Sequence, residues 1–147
     1  MGSRFNSHDI SLIDSRIFVL CSDGDMQEGI ASETASWAGH LGLGNLIALY
    51  DSNDITIAGD AGLAMSEDVG KRFEAYGWHV QHCDGHNHDE IADCLEESLS
   101  VANKPSLIVA KTVIGKGAPT KEGTAGSHGA PLGQEEIEAA KLASGWN

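Results

Sequence analysis

Basic residues are scarce in this chain. Nine Lys and Arg stand against twenty-two Asp and Glu, for a net charge of −13. Non-specific nucleic-acid binding and adhesion to anionic membranes both need clustered cations, so neither is expected. Cysteine is also sparse. Cys21, Cys83 and Cys94 are odd in number and none lies in a Cys-x-x-Cys spacing, which reads as free thiols in a reducing, cytoplasmic setting rather than as a disulfide framework. No apolar run reaches the length of a membrane span. The first residues lack the basic-then-apolar pattern of a secretory leader. Met1-Gly2 opens like a myristoylation signal, but Asn6 stands where Ser or Thr is required. Internal repeats and low-complexity tracts are absent too.

What is present suits a globular domain. A chain of 147 residues with 41% hydrophobic content can bury a core of its own. Eighteen glycines suggest tight loops near a ligand. Residues 1–15 are polar and read as a loop, and residues 16–21 as a short buried strand. A helix follows over 28–41, stopped by Gly42 and Gly44. A strand over 45–50 and a loop over 52–65 come next. Ser66 is the expected cap of a helix over 67–76 that ends at Gly77. Residues 78–83 read as a strand, and 88–102 as a helix with Ile91, Ala92, Leu95 and Leu99 on its apolar face. Residues 106–113 form a fourth strand, 114–133 a long Gly-rich loop and 134–144 a last helix. This alternation predicts an α/β fold: a parallel sheet with helices on both faces. Ligands of such sheets bind beyond the carboxyl ends of the strands, where Asp23, Asn53 and the 114–133 loop all emerge.

Several residues there carry chemistry. The first two strands end in Ser22-Asp23-Gly24-Asp25 and Asp51-Ser52-Asn53, so each delivers a hard oxygen ligand to a strand exit. Mg²⁺ takes such ligands and shares its shell with phosphates. Gly24 lets a phosphate approach the backbone, and the helix behind it offers free N–H groups. The plain alternative is that Asp23 and Asn53 are turn formers. A calcium loop starting at Asp23 fails, because the sixth position holds Glu28 where Gly is required. Glu28 and Glu33 open the first long helix and suit its dipole. His79, His82, His86 and His88 crowd one stretch with Cys83 and Asp84. A strand sends alternate residues to opposite faces, so surface histidines are expected there rather than a zinc site.

The Asp23…Asn53 pair resembles the thiamine-diphosphate motif, in which Asn follows the Gly-Asp-Gly start by some thirty residues. Five further blocks narrow the resemblance to transketolase: Glu28–Glu33, Leu46–Ile55, Lys71–Trp78, Lys104–Ile108 and Ser127–Gly133. The likeness runs from about Arg4 to Trp146. It implies that residues 1–147 are a partial diphosphate-binding domain, its C-terminal half. It further implies Mg²⁺ held by Asp23, Asn53 and the Ile55 carbonyl, with Ca²⁺ or Mn²⁺ as substitutes. Thiamine diphosphate would be contacted by Gly24, Asn53 and His128, and His128 would also reach the reacting oxygen of the substrate. A histidine suits that task because its proton can change near neutral pH. The family reaction is transfer of a two-carbon ketol unit between sugar phosphates in the pentose phosphate pathway. In the family, a homodimer or partner subunit brings the pyrimidine-binding domain, and carboxylates matching Glu28 and Glu33 lie near the subunit interface. The sequence departs from the pattern in having Ser22 for Gly, Ala125 or Gly126 where a histidine is frequent, and Lys116 for an aromatic. With the rest of the family's parts missing, the expectation is a chain inactive alone, with an exposed sheet edge. The alternatives are a non-catalytic interaction subunit and a related thiamine-diphosphate enzyme.

Overall fold

The computed structural model describes residues 2–146. Met1, the first residue of the expected 1–15 loop and of the rejected acylation signal, lies outside them. That loop carries one short helix, α1 (Gly2–Phe5). The strands are β1 (Ile17–Ser22), β2 (Leu46–Ser52), β3 (Ile55–Thr56), β4 (Gly59–Asp60), β5 (His79–Asp84) and β6 (Ser106–Lys111). The remaining helices are α2 (Asp23–Gln27), α3 (Gly29–His40), α4 (Val69–Ala75), α5 (His88–Ser100) and α6 (Gln134–Ala143). Four strands form a parallel sheet in the order β1-β2-β6-β5, and β3 and β4 pair as a small antiparallel ribbon inside the 52–65 segment.

Strand alternation divides the core in two. Ala48, Tyr50 and Leu107 face one side and pack with Ala35 and Ala38 of α3 and Val69 and Phe73 of α4. Ile47, Cys83, Ile108 and Ala110 face the other and pack with Ile91, Cys94 and Leu95 of α5. Both faces therefore carry helices, as the strand–helix alternation predicts. Two contacts set the first layer. Trp78 Nε1 donates to the Ala35 carbonyl at 2.8 Å, and a Cβ on Gly39 would stand 1.9 Å from the Tyr76 carbonyl oxygen. Only glycine lets α3 pass so close to the end of α4.

The structure corrects several boundaries. The first helix begins at Asp23, not residue 28, and extended backbone at Glu28 (φ −70, ψ 133) splits it into α2 and α3. Glu28 is thus the residue before α3, and Glu33 lies beyond its first turn. The cap of α4 is Asp68, whose side chain accepts from the Lys71 amide at 3.0 Å, rather than Ser66. On α5 the inward stripe is Ile91, Cys94, Leu95 and Ser98, while Ala92 and Leu99 face outward. The largest correction concerns β1. It is an edge strand, with Ile17, Phe18, Val19 and Leu20 at 51%, 54%, 39% and 82% exposure, although its composition reads as buried. Burial needs a neighbour on the outer side of β1, and no described residue of this chain supplies one.

Candidate functional site

Parallel pairing in register builds the site. Ile17 pairs with Leu46 and the match continues to Ser22 with Asp51, so β1 and β2 end at one level. The residue after β1 then meets the loop that follows β2. Asp23, the first residue of α2, is only 1% exposed. Its Oδ2 accepts from the backbone amides of Asn53 at 3.1 Å and Asp54 at 3.0 Å. Its Oδ1 accepts from the Tyr50 hydroxyl at 2.7 Å. All three donors are neutral, and among the described residues no Lys, Arg or His pairs with this carboxylate. A buried carboxylate without a cation is costly unless its lone pairs are met. Three hydrogen bonds meet part of that need, and a hard divalent cation would meet the rest.

The loop after β2 is shaped for this. Asn53 Oδ1 accepts from the Ile55 amide at 3.0 Å, a turn closed by its own side chain. Asp54 has φ of 62°, and among the described residues it alone departs from negative φ without being glycine. That backbone turns successive amides inward, one pair to Asp23 and one to Asn53. Asp54 is tethered at its other end by Lys111 Nζ at the close of β6. Asp23, Asn53 and Ile55 are thereby brought into one hydrogen-bonded cluster.

Gly24 lies in the first turn of α2 with nothing within 4 Å of where a Cβ would stand and no positive φ. Nothing inside the protein therefore requires glycine there, which leaves room for an outside group. Ser22, the departure from the family motif, turns its hydroxyl onto Asp25 Oδ2 at 3.0 Å, and its amide reaches the same oxygen at 2.8 Å. The side chain is thus committed to the start of α2.

His128 follows a short 3-10 turn, Ala125–Ser127, in the long loop. Its Nδ1 is buried and has no partner. Such an orphaned nitrogen suits an acceptor from outside the chain. No hydrogen bond among the described residues joins His128 to Asp23 or Asn53. The loop is held by Ser127 Oγ donating to the Lys121 carbonyl at 2.6 Å, and by the Val113 amide donating to His86 Nε2 at 2.9 Å. The other histidines diverge: His79 meets Glu97 at 3.2 Å, and His82 lies against Gly70. No group of three metal-binding His, Cys, Asp or Glu exists among the described residues.

A cavity of about 320 Å³ opens beside Asp23, Tyr50 and Ser52. Its wall holds Asp54, Asp60, Glu67 and Asp68 and no Lys or Arg. An anion would enter it only alongside a cation. Two residues that sequence reasoning missed support this region. Tyr50 holds Asp23, and its one advance signal was a polar tip ending an apolar strand. Arg72 joins α4 to Met26 and Ser32, and nothing in its spacing announces that.

The family model described as "Transketolase, thiamine diphosphate binding domain" matches residues 1–147. A transketolase of Geobacillus stearothermophilus is 49% identical over 99% of this chain and 22% of its own length. One from Nostoc is 46% identical, covering all of this chain and 22% of that protein. Among solved structures, a Pichia stipitis transketolase in complex with sedoheptulose-7-phosphate superposes with a TM-score of 0.93 at 41% identity, over 99% of this chain and 22% of that one. The chain thus spans about a fifth of the length of the relatives it matches. The family model covers the full chain and the relatives match it at nearly half identity, so the chain belongs to the transketolase family, within its thiamine-diphosphate-binding domain.

Proposed function

We propose that this chain is the Mg²⁺- and thiamine-diphosphate-binding part of a transketolase that moves a two-carbon ketol unit between sugar phosphates, and that the chain alone does not complete the reaction. The observation that carries the metal reading is Asp23: a carboxylate at 1% exposure, met by three neutral donors and no cation. Asp23, the Asn53 side-chain oxygen and the Ile55 carbonyl would hold Mg²⁺, with Ca²⁺ or Mn²⁺ as substitutes. When bound, thiamine diphosphate supplies the nucleophilic carbon of the transfer. The residues of this chain bind and orient. Asp23 would hold a cation that offsets the diphosphate charge inside an acidic surround, and the open space over Gly24 would admit a phosphate oxygen. His128 Nδ1, buried and without a partner, offers a hydrogen bond to an incoming oxygen.

The chain is a partial domain in this reading. The exposed apolar side of β1 supports it, because a parallel sheet is stable when covered. The missing sheet and the pyrimidine-binding domain would come from further sequence or a partner subunit, in a cytoplasmic dimer of the pentose phosphate pathway. Thermal unfolding with Mg²⁺ plus thiamine diphosphate, for wild type and Asp23→Ala, tests the site. A ligand-dependent rise in wild type that the substitution removes is expected. No rise in either favours a non-catalytic interaction subunit, and ketol transfer by the isolated chain contradicts the claim that essential parts are missing.

A further inference from the structure

The hydrogen bond from the Tyr50 hydroxyl to Asp23 Oδ1 does more than satisfy a buried phenol. We propose that Tyr50 is a positioning residue that sets the plane of the Asp23 carboxylate for the divalent cation. This rests on the metal reading above.

Tyr50 is 4% exposed and sits on β2, an inner strand paired on both sides, to Cys21 of β1 and Val109 of β6. Its ring belongs to the packed cluster under α3 and α4. The phenol oxygen is therefore fixed by the stiffest part of the sheet. Asp23, by contrast, opens a five-residue helix at the sheet margin. A carboxylate only accepts, so the O–H of Tyr50 must point at Oδ1. Ser52, on the same strand face, lines the same cavity as Tyr50 and Asp23. The two amides grip Oδ2 from the Asn53 loop. One oxygen is thus held by the sheet and the other by the loop, and neither alone fixes rotation about the Asp23 Cβ–Cγ bond. With both in place, one lone pair is left free, on Oδ1, and its direction is set. A group that orients a metal ligand in this way commonly changes metal affinity by about 10- to 100-fold when removed.

The protein contains two tyrosines, Tyr50 and Tyr76, which permits a matched test. Tyr76 packs edge-on against Phe73, away from Asp23. Mn²⁺ affinity in the presence of thiamine diphosphate is measured by electron paramagnetic resonance for wild type, Tyr50→Phe and Tyr76→Phe. The expected result is binding weakened about 10-fold or more in Tyr50→Phe alone. Equal affinity in Tyr50→Phe and wild type overturns the assignment of Tyr50 and leaves the metal site standing. A wild type that binds no Mn²⁺ overturns the metal site and this inference with it. Should Tyr50→Phe not fold, 3-fluorotyrosine in the Tyr76→Phe background labels Tyr50 only. Its ¹⁹F resonance is then expected to move with the midpoint of a Mg²⁺ titration. A resonance that stays fixed while the metal loads removes Tyr50 from the site.

Discussion

Arg72 Nη2 donates to the Met26 carbonyl at 2.9 Å, which places a cation at the end of the helix that Asp23 begins. The same guanidinium reaches Ser32 Oγ on α3 at 2.9 Å and Glu67 before α4 at 3.0 Å. Three separate segments under the site are therefore held by one side chain of which 15% is exposed. Met26 is one turn from Asp23, so slack at one end of α2 is felt at the other.

Replacing Arg72 by Met strands the Met26 carbonyl and the Glu67 carboxylate. Hydrogen bonds to a charged group contribute about 1.5–3 kcal/mol each, with part of that recovered by water. A loss of about 2–4 kcal/mol is expected, which for a chain of this size lowers the melting temperature by roughly 8 °C. Arg72→Lys keeps the charge and one or two of the contacts and should recover part of it. Circular-dichroism melts decide; a Met variant that melts with wild type would show that the clamp is idle.

Alkaline pH should weaken the fold through Cys83. Burial, and then the neighbouring Cys94 thiol, push Cys83 from 9.0 up to about 11. The folded state therefore keeps a proton that the unfolded chain gives up near pH 9. This contribution is complete below about pH 9 and is lost as pH rises toward 11. Denaturant midpoints between those limits should fall less steeply in Cys83→Ala than in wild type, and iodoacetamide at pH 8 should label Cys83 slowly until the protein is unfolded. Equal slopes would remove Cys83 from the alkaline transition.

The outer side of β1 should make the isolated chain associate. Leu20 is 82% exposed and Phe18 is 54% exposed, beside an unpaired strand edge. Light scattering should report concentration-dependent assembly of wild type. Phe18→Glu with Leu20→Lys should reduce it, since charge on an edge strand discourages pairing. A wild type that stays monomeric at high concentration would mean that the edge is already protected.

Much of this architecture was legible before any coordinates. Alternating apolar runs and helical stretches announced a parallel sheet covered on both faces, and Asp23 and Asn53 stood out because each follows a strand of similar length. Cap details were less legible. Asp68 and Ser66 are both good capping residues, and the choice fell to the one whose carboxylate reaches the Lys71 amide. The break at Glu28 was hidden for a similar reason, since a helix-favouring residue holds extended backbone there. The exposure of β1 was not readable from its composition, because Ile, Phe, Val and Leu describe what a strand would bury rather than whether a neighbour exists to bury it.

By itself the sequence determined the order of elements, the hard oxygens at two strand exits and the scarcity of positive charge around them, since these follow from residue type and spacing along one chain. Only the tertiary structure decided that Tyr50 grips Asp23, that Arg72 ties α2 to α4, and that His128 Nδ1 lies buried without a partner. Those relationships depend on strand register and helix approach, which arise from many weak contacts summed across the fold and leave no pattern in neighbouring residues.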